Sequence, residues 1–151
     1  LAWAKENNMS FLEMLQDIYR KYGFSREEGI SVVRPGKTGA DEIVAMMKNF
    51  RANPQKSLGG SPVVTIKDYS DLNCTDVQTG KVEKMDFPTT SNVLQYFTAD
   101  GSKISIRPSG TEPKIKFYIE VRGTMNSKAD YAEAIKAAEA KTEMIKKELG
   151  I

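Results

Sequence analysis

KIKFYIEVR, residues Lys114 to Arg122, is the stretch on which the fold turns. Ile115, Phe117, Ile119 and Val121 alternate with Lys116, Tyr118, Glu120 and Arg122, and a period of two puts the first set on one face of a β-strand and the second on the other. One face belongs to a core and the other to water, the pattern of an antiparallel sheet covered on one side. Upstream, Val93 to Phe97 and Lys103 to Ile106 read as two more strands, with Ala99-Asp100-Gly101 as the hairpin turn between them. Val63 to Tyr69 and, more briefly, Gly29 to Val33 complete the strand signals. The segment 53–62, rich in Gly, Ser and Pro, reads as loop, and 70–92 as a loop or irregular hairpin around Lys81-Val82-Glu83.

Helical signals flank these strands. Ser10-Phe11-Leu12-Glu13 is a capping box; Phe11, Leu12, Leu15, Ile18, Tyr19 and Tyr22 follow at helical spacing, and Gly23 supplies the stop. This predicts a helix over 10–22 with one buried face, preceded by a helical segment over 1–7. Thr38 is the expected cap of a second helix with Ile43, Met46, Met47 and Phe50 inward and Pro54 beyond its end. Ser127 is the expected cap of a long C-terminal helix buried along Tyr131, Ile135, Ala138, Ile145 and Leu149. Strands joined by hairpins between helices describe an α+β fold, an antiparallel sheet backed by helices on one face.

Composition narrows the chemistry. The chain has 151 residues, 40% of them hydrophobic and 28% charged, enough for one domain with a real core. The net charge of +2 is spread along the chain without a polybasic run, so nucleic acid is not the expected partner, and no window of apolar residues is long enough to cross a membrane. Its one cysteine, Cys74, fits a reducing, cytoplasmic setting. The absence of histidine removes Ser-His and Cys-His nucleophile pairs and His-ligated zinc. Leu1-Ala2-Trp3-Ala4-Lys5 reads as the interior of a helix without an initiator methionine, so the chain is expected to be a piece of a longer one.

Two stretches compete as sites. Gly36-Lys37-Thr38 lies between a strand and a helix, where a nucleotide-binding P-loop would lie. That pattern needs a glycine where Ser31 stands, Pro35 removes a backbone N–H from the cradle, and hairpins do not build the parallel sheet such a loop requires. Glu27 and Glu28 are adjacent, point apart, and make a poor acid/base pair. The other stretch is RPSGTEP, Arg107 to Pro113, between two strands that a two-residue turn could have joined. Arg107, held extended by Pro108, is expected to end its strand with a guanidinium at the sheet edge, a bidentate match to phosphate oxygens. Gly110 is expected to take the positive φ that gathers N–H groups into a nest, Ser109 and Thr111 add hydroxyls, and Pro113 stiffens the exit. A polar loop whose Ser and Thr bond their own backbone would use the same residues, and the residues alone leave both readings open.

RPSGTEPKIKFYIEV, Arg107 to Val121, also closely resembles the signature of the C-terminal domain of the α-D-phosphohexomutases, the phosphoglucomutase and phosphomannomutase family. Supporting similarity runs from IYRKYGF through GADEIVAMM to the last helix. The resemblance implies a four-domain parent, with residues 1–25 the helical tail of its third domain, 26–36 a linker and strand, and 37–151 the fourth domain, of TATA-binding-protein-like fold. It implies interconversion of hexose 1-phosphates and 6-phosphates through a hexose bisphosphate, with the phosphoserine, the Mg²⁺ loop and the sugar-reading residues in the first, second and third domains. Carried over position by position, Arg107, Ser109, Gly110 and Thr111 would form the loop that grips the non-reacting phosphate, with Lys114 as a further candidate. The fourth domain would also act as a mobile lid hinged between Gly23 and Gly36, and alone it is expected to bind no metal and catalyse nothing. The alternative is a stand-alone anion-binding interaction module.

Overall fold

The computed structural model describes residues 2–151. Two helices, α1 (Ala2–Glu6) and α2 (Phe11–Tyr22), lead into strand β1 (Phe24–Val33) and helix α3 (Gly36–Ala52). Seven strands follow: β2 (Ser57–Leu58), β3 (Ser61–Asp68), β4 (Asn73–Asp76), β5 (Val82–Lys84), β6 (Leu94–Thr98), β7 (Lys103–Pro108) and β8 (Lys114–Gly123). A 3₁₀ turn at Lys128–Asp130 opens α4 (Tyr131–Leu149). All pairings are antiparallel, in the order β1-β8-β7-β6-β3-β4-β5, with β2 paired to β3. The α+β class read from the sequence is the one observed, and an antiparallel sheet removes the P-loop reading.

The alternation in β8 sets the layering. Ile115, Phe117, Ile119 and Val121 are buried and join Ile104 and Ile106 of β7, Leu94 and Tyr96 of β6, and Phe50, Met47 and Ile43 of α3 in one core. Helices α3 and α4 cover that face, and Ile145 and Leu149 of α4 close it. The Tyr96 hydroxyl donates to the Phe50 carbonyl at 2.7 Å, which satisfies it inside the core, and burial pushes its pKa above the ordinary tyrosine value. The other face of the sheet carries polar side chains, among them the cross-strand pairs Lys103 with Glu120 and Arg107 with Lys116.

Several local expectations shift. The strand expected over 29–33 begins at Phe24, and β1 lies along the whole of β8 as the sheet edge. Ion pairs from Arg26 to Glu139 (2.8 Å) and from Lys146 to Glu28 fasten α4 over that edge, so Glu28 is not merely solvated charge. The loop expected over 53–62 contains the two-residue hairpin of β2 and β3, turned by Gly59 and Gly60 at positive φ with Leu58 fully buried. Thr38 does not cap α3; Pro35, preset to extended geometry, stands at the cap and offers no side-chain hydrogen bond. Ser127 precedes the 3₁₀ turn rather than α4 itself, and its N–H donates to Asp130 Oδ2 at 2.8 Å.

The capping box of α2 forms, with Ser10 N donating to Glu13 Oε2 at 2.8 Å and Glu13 N to Ser10 Oγ at 3.1 Å. The expected buried face of α2 does not: Phe11 is 58% and Tyr22 70% exposed. Only Tyr19 reaches the domain core, edge-on to Phe24 at 5.0 Å and stacked on Tyr131 at 6.3 Å.

Two carboxylates staple the far elements. Asp68 of β3 accepts from Arg51 of α3 at 2.7 and 3.2 Å, and Asp100 in the β6–β7 turn meets Lys141 of α4, Thr98 and Ser102. Burial pushes both pKa values up, but these partners outweigh it and hold both carboxyls below the usual range. A carboxyl depressed by folding releases its proton more readily folded than unfolded. Its stabilisation is therefore complete above the unfolded value near 3.9 and is lost as pH falls through that value toward the folded one. Urea midpoints are expected to be level from about pH 7 to pH 5 and to fall below it. Asp100→Asn should fall less steeply in acid than the parent; an unchanged acid limb would remove Asp100 from the effect.

Candidate functional site

The connection between β7 and β8 joins the third and second strands from the β1 edge of the sheet. Arg107 pairs across to Lys116 and Pro108 to Ile115, so the strand runs through Arg107 instead of ending there. Because Ile104 and Ile106 point into the core, the same alternation turns Arg107 to the open face, where it is exposed. Ser109 N donates to Lys114 O at 2.8 Å and Lys114 N to Glu112 O at 2.7 Å, which closes the loop on itself. Arg34 N, just past β1, donates to Pro113 O at 2.8 Å and ties the loop to a third strand. Its base, with Ser109 half-buried, is thus fixed, while Gly110 and Thr111 at the crest are exposed.

Gly110 does not adopt positive φ, so the nest expected from a left-handed glycine is not formed. Nothing lies within 4 Å of where its Cβ would be, so the crest is open at this point. Among the described residues, the amides of Gly110 and Glu112 donate to no protein acceptor, and that of Thr111 reaches Ser109 Oγ at a long 3.5 Å. Three consecutive N–H groups are therefore available without the left-handed turn.

On the open-face side, Arg107, Ser109, Gly110, Thr111, Lys116 and Tyr118 line a hollow of about 380 Å³. Arg107 and Lys116 stand opposite each other on adjacent strands, and neither makes an ion pair among the described residues. Like charges directly opposite destabilise a sheet, so this pair suits an anion that neutralises both. Lys114 is placed differently: it lines neither side of the crest, and its ammonium is engaged by Glu112. That contact, with Lys116 nearby, holds the Glu112 carboxyl below the usual range. Lys116 was not singled out from the sequence, although period-two alternation from Ile115 already places it on the wet face.

On the helix side of the same crest, a second hollow of about 570 Å³ is bounded by Ala40 and Val44 of α3, by Asn92, and by Ser109 to Pro113. The donor set around the crest, two cations with hydroxyls and amides, does not fit a divalent metal. No group of three or more Cys, Asp or Glu among the described residues is gathered to hold one, and no helix among them is long and apolar enough to cross a membrane.

Residues 47–138 match the family model described as phosphoglucomutase/phosphomannomutase, C-terminal domain. The phosphoglucomutase of Staphylococcus saprophyticus is 35% identical over 116 residues, 77% of this chain and 21% of the relative, and that of Staphylococcus aureus (strain MRSA252) is 33% identical over 108 residues, 72% and 19% respectively. The chain thus spans about a fifth of the length of the curated relatives it matches. Among solved structures, the exocytosis-sensitive phosphoprotein parafusin of Paramecium, a phosphoglucomutase in its open form, aligns with a TM-score of 0.47 and 18% identity, over 93% of this chain and 25% of that one.

Proposed function

This chain belongs to the phosphoglucomutase/phosphomannomutase family through its C-terminal domain, and on that premise we propose that it serves a phosphohexose mutase by gripping the non-reacting phosphate of a hexose phosphate. The observation that carries the reading is the pairing of Arg107 with Lys116 beneath a crest of free amides and hydroxyls. A phosphate dianion can take the guanidinium bidentately, the ammonium as a point charge, and the crest through N–H and O–H donors. Such a grip reads charge and shape and not sugar identity, so it accepts either end of a bisphosphate intermediate as that turns over between half-reactions. Binding energy gathered on the non-reacting end orients the reacting hydroxyl elsewhere in the cleft.

In this reading the fourth domain of a four-domain cytoplasmic enzyme, expected over 37–151, also takes in β1 from Phe24, and the helices before Gly23 are the tail of the third, whose remainder covers the exposed face of α2. The fourth domain closes as a lid, and because β1 is built into the sheet along its length, its hinge falls at the upstream limit of the expected segment, at Gly23 with φ +95°. The Mg²⁺ and the phosphoryl-carrying serine belong to domains outside this chain, which alone turns nothing over.

The test is an amide NMR titration of the 151-residue chain with inorganic phosphate, glucose 1-phosphate and matched chloride. Saturable shifts centred on Ser109 to Glu112 are expected with both phosphates and not with chloride, at weak affinity because one cradle offers few contacts. Crest amides unmoved by either phosphate would remove the loop as a phosphate site of this chain.

A further inference from the structure

The crest has a second side, and one of its walls is held with more care than an exposed loop residue requires. Asn92 lines the helix-side hollow together with Ser109, Gly110 and Thr111. Arg51 Nη2 donates to Asn92 Oδ1 at 2.8 Å. A guanidinium has no acceptor, so the carboxamide oxygen must face Arg51 and the NH₂ must face away from it. Among the described residues no acceptor takes that NH₂. Arg51 is itself fixed by its two hydrogen bonds to Asp68, and Asp68 accepts in turn from Ser70 N at 2.9 Å and Ser70 Oγ at 2.8 Å. A half-buried relay therefore orients two free N–H donors on an exposed side chain beside the crest.

The two sides differ in charge. Arg107 and Lys116 lie on the open-face side, whereas Glu112 is the one charged side chain described in the lining of the helix-side hollow. The charge of Glu112 is met by Lys114, so the described lining of that side offers an anion no cation of its own, and uncharged oxygen acceptors suit it: N–H groups of the Asn92 carboxamide and hydroxyls of Ser109 and Thr111. We infer that Asn92 is a binding residue for the neutral, hydroxyl-bearing part of the phosphorylated ligand, donating from Nδ2 to a hydroxyl or ring oxygen, with Arg51 as its positioning residue. The inference rests on the crest being a phosphate site. It gives this domain a contact with the sugar itself, across the crest from the phosphate.

The ratio of two affinities tests it, measured by the crest amide shifts of the 151-residue chain with inorganic phosphate and with glucose 1-phosphate. Asn92→Ala is expected to weaken glucose 1-phosphate by about three- to tenfold, the size of one neutral hydrogen bond, and to leave inorganic phosphate within about twofold. Asn92→Asp keeps an oxygen facing Arg51 but lacks the donor, and should show the same selective loss once its effect on inorganic phosphate is divided out. Equal weakening of both ligands would mean that Asn92 touches the phosphate or merely holds the loop, and would overturn the inference alone. Unchanged affinity for both would do the same. Failure of the parent chain to bind either ligand would overturn the phosphate-site reading and this inference with it.

Discussion

Replacing Phe117 with alanine is expected to lower the unfolding free energy by about 3–5 kcal/mol, the range for truncating a fully buried aromatic ring. Phe117 is 0% exposed in β8, which is paired on both edges, and its ring meets that of Phe50 at 5.9 Å and 78°, an edge-to-face contact between sheet and α3. Ile106 and Ile30 stand beside it on β7 and β1. All three strands are locked by their ladders, so the surrounding atoms can close only part of the hole. For a domain whose whole stability is of the order of 5–15 kcal/mol, the variant should be folded only marginally at room temperature. Tyr118, one residue on and facing the open side, supplies the control: Tyr118→Ala should cost less than half as much in the same urea titration. A Phe117→Ala chain within about 1 kcal/mol of the parent would contradict the layering derived from the alternation.

The same strand shows why part of this structure is legible from residues and part is not. Strict alternation over 115–121 admits one arrangement of faces, and the turn Ala99-Asp100-Gly101 fixes the neighbouring hairpin, so the central strands follow from local signals. The edge strand does not: Arg26, Glu27 and Glu28 carry no strand pattern, and it is the ladder to β8 with ion pairs to α4 that extends β1 back to Phe24. Gly59-Gly60 is a hairpin signal between Leu58 and Val63, hidden by the surrounding Ser and Pro. The apolar periodicity of α2 is real, but periodicity says that a face wants cover and not that this chain provides it.

The site divides in the same way. Arg107, Ser109, Gly110 and Thr111 fall within five residues, so they could be read together, whereas Lys116 joins them only through register and Asn92 only through Arg51. Glycine permits the positive φ of a nest without requiring it, and among the described residues the loop leaves the amides of Gly110 and Glu112 unpaired without that turn.

Arg107→Ala should weaken phosphate binding by about 1.5–3 kcal/mol, the range for hydrogen bonds to a charged group, which is roughly 10- to 150-fold in Kd. The loss has two physical parts. The bidentate fork disappears, and the remaining cation, Lys116, faces the dianion alone. Arg107→Lys restores the charge without the planar fork and should recover only part of the affinity. Lys116→Ala should show a smaller loss, and the double variant should lose less than the sum of the two, because both cations act on one bound charge. Folding stability is expected to move the other way: removing one of two opposed, unpaired cations relieves a repulsion, so Arg107→Ala should unfold at an equal or slightly higher urea concentration. That opposition separates a functional arginine from a structural one, since a residue holding the loop together would lose stability and affinity together. An Arg107→Ala chain that binds phosphate as tightly as the parent would take the guanidinium out of the site and leave the paired cations of β7 and β8 without an explanation.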